Sequence, residues 1–250
     1  MLAPALNEGS RNIASMLRSI QCQMKLNPAV CQKSSQGTFV STSWDTLVQR
    51  VGIMMLFFDR QEIRPGARIA IWCGNSAERL IVELAIMASG RAIVPIFPGY
   101  SPDFVQQLIE FAEVEMLVVD TAARAESLPS ETLPRLVLVL QSVNAIWEGS
   151  ALESRSAIDG AAREVKPGDL AVIMFTSGTS SFPKGVMLTH DNIMSQQAAL
   201  KQLWNPKPGM RFLSYLPWHH SFGGLFERFF ALSNGGCIAI DDSMGKNVDL

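Results

Sequence analysis

The sequence lacks the segments that direct a protein to export or into a membrane. No basic stretch followed by an apolar core opens the chain, so we predict no signal peptide. The longest apolar runs, such as residues 53–58, are far shorter than the ~20 residues that cross a bilayer. The composition leaves only peripheral membrane contact open.

Cysteine is scarce, and neither sign of charge dominates. The four cysteines, Cys22, Cys31, Cys73 and Cys237, form no Cys-x-x-Cys pair, which argues against a cysteine metal site and against a disulfide framework. We therefore expect reduced thiols in a cytoplasmic protein. The formal net charge is −2 and no basic stripe is present, so we expect no nucleic-acid partner.

Short apolar strands alternate with amphipathic helices along the chain. Apolar residues follow one helical face from Trp44 to Phe58, and a strand (Ile69–Cys73) and a second helix (Ala77–Ser89) come next. Ser101 precedes a proline and an acid, which is typical of a helix start. This alternation predicts an α/β fold with mainly parallel sheets flanked by helices. The polar residues 141–165 are predicted to be an irregular connection.

Three segments are predicted from this pattern. Residues 1–36 are interpreted as a leader that packs on the domain surface. Residues 37–165 form a first α/β subdomain, and residues 166–250 begin a second one at the turn Lys166–Asp169. We see no internal repeat.

The strongest functional signal follows the predicted strand Leu170–Phe175. The next ten residues read T-S-G-T-S-S-F-P-K-G, with five hydroxyl side chains, two glycines and one lysine. Glycine lets the backbone approach an anion, and free N–H groups in such a loop bind phosphate. A P-loop is excluded, because Pro183 stands where its second glycine must be. The remaining alternatives are a triphosphate-binding loop and an ordinary polar surface loop.

This loop resembles the phosphate-binding signature of the ANL superfamily, usually written T-S-G-T-[TS]-G-x-P-K-G-V. The match runs from Thr176 to Val186, and Ser181 replaces a glycine. The resemblance implies an ATP site, with Mg²⁺ near Thr176 or Thr179. The candidate nucleotide-binding residues are Thr176, Ser177, Gly178, Thr179, Ser180, Ser181 and Lys184.

A second motif, L-P-W-H-H-S-F-G-G, covers residues 216–224. A zinc site lacks a nearby third ligand, and the H-H-x-x-x-D-G motif of condensation enzymes fails at Gly224 and Leu225. One open alternative is that His219 satisfies a buried carbonyl group. The ANL superfamily has L-P-x-x-H here, which implies that His220 lies in the acyl pocket beside the reacting carboxylate. The longer string is similar to the feruloyl-CoA synthetase type, which has asparagine at the position of His219.

The resemblance implies an AMP-forming acid–CoA ligase that uses ATP, Mg²⁺ and coenzyme A on a carboxylic acid, with catalytic roles for Lys184 and His220. It also implies that the chain is an incomplete N-terminal domain of the acyl-CoA synthetase fold. The rest of that domain and a C-terminal domain would then lie outside the chain. Two alternatives are a ligase that loads a carrier protein and a non-catalytic nucleotide- or acyl-binding member. The acid is open, because Trp218, Phe222 and Phe226 either line its pocket or belong to the core.

Overall fold

The computed structural model describes residues 10–34, 36–148, 151–176 and 183–241. The helices are α1 (Ile13–Met24), α2 (Trp44–Arg60), α3 (Ala77–Ala88), α4 (Pro102–Phe111), α5 (Ala122–Glu126), α6 (Ala151–Glu164), α7 (His190–Trp204) and α8 (Arg228–Ser233). The strands are β1 (Pro28–Lys33), β2 (Phe39–Ser43), β3 (Arg68–Trp72), β4 (Ala92–Pro95), β5 (Met116–Val119), β6 (Leu136–Val139), β7 (Leu170–Thr176), β8 (Lys184–Thr189), β9 (Arg211–Ser214) and β10 (Cys237–Ile240). A π-helix, Phe222–Glu227, leads directly into α8.

The described strands form two sheets. The larger sheet has the order β6-β5-β3-β4-β7-β8 and is parallel except for the antiparallel edge strand β8. The smaller sheet has the order β2-β1-β10-β9, in which β1, β10 and β9 run parallel. The predicted α/β class with mainly parallel sheets is therefore confirmed.

The helices cover both faces of the larger sheet. On one face, α1, α2, α3 and α6 pack together, and the main apolar core runs through them into the smaller sheet. On the other face, Val105 and Leu108 of α4 pack on Ala70, Val94 and Leu117 of the strands. Burial of both sheet faces explains why the parallel strands read as continuous apolar runs.

Several local predictions are confirmed. The helix that begins after Ser43 is α2, and the Ser43 hydroxyl accepts a hydrogen bond from the Thr46 N–H at 3.2 Å. Ser101 caps α4 in the same way through the Phe104 N–H, with proline at the first helical turn. These starts were predictable because a cap and its helix are neighbours in sequence.

The region 141–165 differs from the predicted irregular connection. It contains the helix α6, which buries Ser154, Ile158 and Ala161 at spacings of four and three residues. Ser154 interrupts the apolar face, so its periodicity is weak in the sequence. The α6 backbone at Ser154 packs directly against Gly52 of α2, so this contact uses small residues and not large apolar ones.

The N-terminal segment also differs from a surface leader. The α1 residues Ile13, Met16, Leu17 and Ile20 are fully buried, and β1 is an inner strand of the smaller sheet. Residue 166 does not separate the sheets either. The strands β7 and β8 belong to the larger sheet, whereas β1 and β2 share the smaller sheet with β9 and β10.

Within the described ranges, no helix has the length and apolar character that crossing a membrane requires.

His190 joins the start of α7 to the start of α1. Its Nδ1 accepts a hydrogen bond from the Ile13 N–H at 3.3 Å, and its Nε2 has no partner among the described residues. Burial lowers the pKa of His190 to about 4, although the nearby Asp169 carboxylate acts in the opposite direction. The neutral imidazole is therefore the form that the fold accommodates.

We predict that His190 contributes a fall of about 2–3 kcal/mol in the free energy of unfolding as the pH drops from about 6.5 to about 4. In this window the unfolded chain binds a proton at His190 and the folded chain does not, so acid favours unfolding. Urea unfolding at a series of pH values measures the effect. His190→Asn keeps an acceptor for Ile13 and should show a flatter dependence. An unchanged slope in this variant would contradict the assignment.

A second prediction concerns the contact between α2 and α6. A Cβ at Gly52 would lie 2.3 Å from the Ser154 carbonyl oxygen, so Gly52→Ala is expected to lower the free energy of unfolding by about 1–3 kcal/mol. At Gly160 in α6, an added Cβ would have no atom within 4 Å. Gly160→Ala is the matched control and should stabilise the protein by about 0.5–1 kcal/mol. Thermal unfolding of both variants tests the pair, and equal effects would refute it.

Candidate active site

A cavity of about 210 Å³ lies where the carboxyl ends of β4 and β7 meet the segment that follows β9. The strands β4 and β7 are parallel neighbours, with Ile93 opposite Val172, so their following loops leave the sheet at the same edge. Such edges are the usual ligand-binding positions of open α/β sheets. The cavity is lined by Pro95, Phe97, Tyr100, Leu108, Met174, Phe175, Thr176, His219, His220 and Ser221.

The two ends of the predicted phosphate loop lie side by side. Thr176 ends β7 and is the register partner of Lys184, which begins β8. The Thr176 hydroxyl also donates to the Lys184 carbonyl oxygen at 3.4 Å. Gly185 packs in the strand pair, where an added Cβ would meet Ile173 at 3.1 Å. A backbone pairing thus closes the segment at its base.

The predicted site residues fall into three groups. Thr176 and His220 line the same cavity, as one cleft for nucleotide and acid requires. Lys184 is exposed and pairs with Thr176 in the strand register, but it is not among the described residues that line the cavity. The predicted ligands Ser177, Gly178, Thr179, Ser180 and Ser181 lie outside the described residues.

A row of aromatic rings forms one wall of the cleft. Their centroids are separated by 4.8 Å from Phe104 to Tyr100, 5.2 Å from Tyr100 to Phe97, 4.7 Å from Phe97 to His219 and 4.3 Å from His219 to His220. The turn at residues 98–100 is visible in the sequence, but no role was predicted for it. Aromatic residues directly after a parallel strand were the available signal.

His219 separates two cavities. It lines the cleft with His220 and also a larger cavity of about 410 Å³ at the carboxyl ends of β3, β5, β6 and β10. Burial, the neighbouring His220 and the charge of Arg79 lower the pKa of His219 to about 4. At neutral pH, His219 is therefore an uncharged ring, available for stacking and hydrogen bonding.

The other aromatic residues of the second motif do not line this cleft. Trp218 is buried, with the guanidinium groups of Arg79 and Arg228 within 5.7 Å and 5.0 Å of its ring centroid. Phe222 is 58% exposed and stacks on Phe226 at 4.8 Å. Their proposed role in an acid pocket therefore stays a prediction.

The described ranges contain no group of three or more histidine, cysteine, aspartate or glutamate side chains placed to hold a metal ion. Of the two residues predicted near Mg²⁺, Thr176 lies in the cleft and Thr179 lies outside the described residues. The Thr176 hydroxyl alone does not form a metal site.

Comparison with known proteins identifies relatives of this chain. The family model described as AMP-binding enzyme matches residues 7–247. The chain is 27% identical to a long-chain-fatty-acid–CoA ligase, heimdall, of Drosophila melanogaster, over 78% of this chain and 31% of that protein. It is also 28% identical to malformin synthetase mlfA of Aspergillus homomorphus, over 79% of this chain and 4% of that protein.

The fold matches solved structures of the same kind. A fatty acyl CoA synthetase of Mycobacterium tuberculosis superposes with a TM-score of 0.78 at 20% identity, covering 93% of this chain and 45% of that one. The chain thus spans less than half the length of these relatives. With the family model covering nearly all of the chain, it belongs to the AMP-binding enzyme family, the adenylate-forming group that its loop motif resembles.

Proposed function

We propose that this chain forms the nucleotide- and acid-binding front part of an enzyme that uses ATP to convert a carboxylic acid into an acyl adenylate and then transfers the acyl group to coenzyme A. One observation carries the proposal: Thr176, where the phosphate loop begins, and His220 line one cavity. A reaction between a nucleotide and an acid requires that both be held within attack distance.

In the first half-reaction, catalysis depends mainly on positioning and charge. A carboxylate oxygen attacks the α-phosphorus of ATP, a new P–O bond forms, and pyrophosphate leaves with the electrons of the broken bond. The acid reacts as its anion, so we assign no general base. We propose that Lys184 offsets the negative charge of the triphosphate. The triphosphate would accept hydrogen bonds from the loop residues Thr176, Ser177, Gly178, Thr179, Ser180 and Ser181.

The described residues support separate roles for Lys184 and His220. The exposed Lys184 is the register partner of Thr176, and we propose that its ammonium group offsets phosphate charge. His220 lines the same cavity as Thr176, at the end of the aromatic row. We propose that it contacts the reacting carboxylate.

Mg²⁺ belongs to the proposal as the counter-ion of the triphosphate, close to Thr176 and Thr179. When bound, it would neutralise phosphate charge. Of these two residues, Thr176 lies within the described ranges and lines the cleft.

Coenzyme A is the acceptor that we propose for the second half-reaction. The similarity to the Drosophila CoA ligase supports this choice. The similarity to malformin synthetase and to a nonribosomal peptide synthetase structure supports a carrier-protein acceptor as the alternative. In either case, we propose that residues outside this chain, including a C-terminal domain, complete the enzyme.

Lys184→Ala is predicted to lower acid-dependent ATP–pyrophosphate exchange by about 100-fold in the full-length protein that carries this chain, because a charged donor to the phosphates is lost. Lys166 is exposed near the opposite end of β7, so Lys166→Ala is the matched control, with exchange within about twofold of wild type. Exchange at the wild-type rate in Lys184→Ala would exclude the assigned role. If the wild-type protein binds ATP but none of the tested acids supports pyrophosphate exchange, the non-catalytic alternative is favoured.

The acceptor and the acid are tested together. We expect the full-length protein to form AMP and acyl-CoA in equal amounts with at least one member of a panel of aromatic and medium- to long-chain acids. Without coenzyme A, the same acid should support pyrophosphate exchange alone. Acyl transfer to an added carrier protein but not to coenzyme A would overturn the acceptor assignment and leave acid activation intact.

A further inference from the structure

The two histidines of the cleft stand on a short loop that distant parts of the chain hold in place. This loop, Leu216–Ser221, joins β9 to the π-helix. Its own backbone contributes a hydrogen bond from the His220 N–H to the Pro217 carbonyl at 3.2 Å and one from the Gly224 N–H to the His220 carbonyl at 2.8 Å. These two backbone hydrogen bonds alone would not fix the orientation of the histidine rings.

Asn75, which follows β3 of the larger sheet, forms two hydrogen bonds to the loop. Its side-chain Nδ2 donates to the Leu216 carbonyl at 2.9 Å, and its Oδ1 accepts from the Trp218 N–H at 3.2 Å. The amide therefore pairs with loop backbone on both sides of Pro217. A single side chain that satisfies both a carbonyl and an N–H fixes the position and the direction of the loop.

The buried side chain of Trp218 also fixes the loop in place. Its Nε1 donates to the Ser214 hydroxyl at 2.9 Å. The guanidinium groups of Arg79 and Arg228 lie 5.7 Å and 5.0 Å from the ring centroid, within the range of cation–π attraction. Both arginines bond to the fully buried Glu83 carboxylate, Arg79 at 2.7 Å.

This buried cluster has two cations and one anion, so it carries an excess positive charge. Arg79 Nη2 and Arg228 Nη2 have no hydrogen-bond partner within the described ranges. The electron-rich face of Trp218 therefore helps to offset the excess charge. Moving Trp218 away would remove that stabilisation, so the cluster resists displacement of the loop.

The loop transmits this anchoring to the cleft. His219 follows Trp218 directly, and its ring makes tilted contacts with the rings of Phe97 and His220. The titratable groups around it are His220, Arg79 and three carboxylates that line the neighbouring cavity, those of Glu78, Asp120 and Asp241.

We propose that Asn75, together with the Trp218 cluster of Arg79, Glu83 and Arg228, acts as a set of positioning residues that hold His219 and His220 in the cleft for acid activation. These residues are not among those that line the cleft of Thr176 and His220, so they act through the loop. The inference rests on the proposed function only for its catalytic consequence, because the geometry of the loop is measurable without any reaction.

The test variant is Asn75→Ala, which removes both side-chain bonds to the loop at a half-buried position that should tolerate the change. Asn144→Ala is the matched control. Asn144 lines the larger cavity together with Asn75, but its side chain accepts a hydrogen bond from Trp147 and does not bond to the loop. Thermal unfolding establishes that both variants are folded.

The first measurement is the NMR titration of the histidine rings in the full-length protein, in which the signals of His219 and His190 are assigned by their loss in His219→Gln and His190→Asn. In wild type and Asn144→Ala, His219 should stay neutral between about pH 5 and pH 8. In Asn75→Ala, the freed loop admits water, and His219 should titrate within that range. His190 serves as the internal control and should be unaffected.

The second measurement is pyrophosphate exchange in the full-length protein. We expect kcat to fall by about tenfold or more in Asn75→Ala with KM for ATP within about twofold, because misplaced groups slow chemistry more than nucleotide binding. A folded Asn75→Ala protein with an unchanged His219 titration and unchanged exchange would overturn the proposal. If no acid supports pyrophosphate exchange in the wild-type protein, the proposed function fails. The His219 titration alone then decides the positioning role.

Discussion

One buried carboxylate holds together the parts of the molecule that form the cleft. Glu83 on α3 accepts hydrogen bonds from Arg79 on the same helix and from Arg228 on α8. Burial raises the pKa of Glu83, but the charges of Arg228 and Arg79 outweigh that effect and leave it below its ordinary value. The carboxylate is therefore ionised, and each guanidinium depends on it for charge compensation. The interaction ties the helical layer to the smaller sheet.

That tie matters because the site belongs to neither sheet alone. The larger sheet supplies Thr176 and Phe97 from the ends of β7 and β4, and the smaller sheet supplies His219 and His220 after β9. A small relative shift of the layers would separate the two halves of the cleft. Close-packed interiors resist such shifts, and the Trp218 cluster adds a directional constraint at the point nearest the histidines.

Local signals in the sequence were sufficient for much of the fold and for the ends of the site. The helix α2 was predictable from the apolar periodicity between Trp44 and Phe58, and the cap at Ser101 was predictable from residues within one turn. The helix α6 was missed because Ser154 interrupts its buried face. The role of Asn75 could not be read from sequence, because its partners lie 141 and 143 residues away. No local period encodes a contact of that range.

The sequence by itself determined the chemistry on offer: a hydroxyl- and glycine-rich loop with one lysine after a buried strand, and a histidine motif further along. Only the tertiary structure decided that Thr176 and His220 share a cavity, because the two residues lie at the ends of strands from different sheets. It likewise decided that Cys31 and Cys237, which are 206 residues apart, lie with their sulfurs 3.4 Å from each other. The physical reason is that side-chain chemistry and helix caps are local properties, whereas the pairing of strands such as β1 with β10 is set by burial of the whole core.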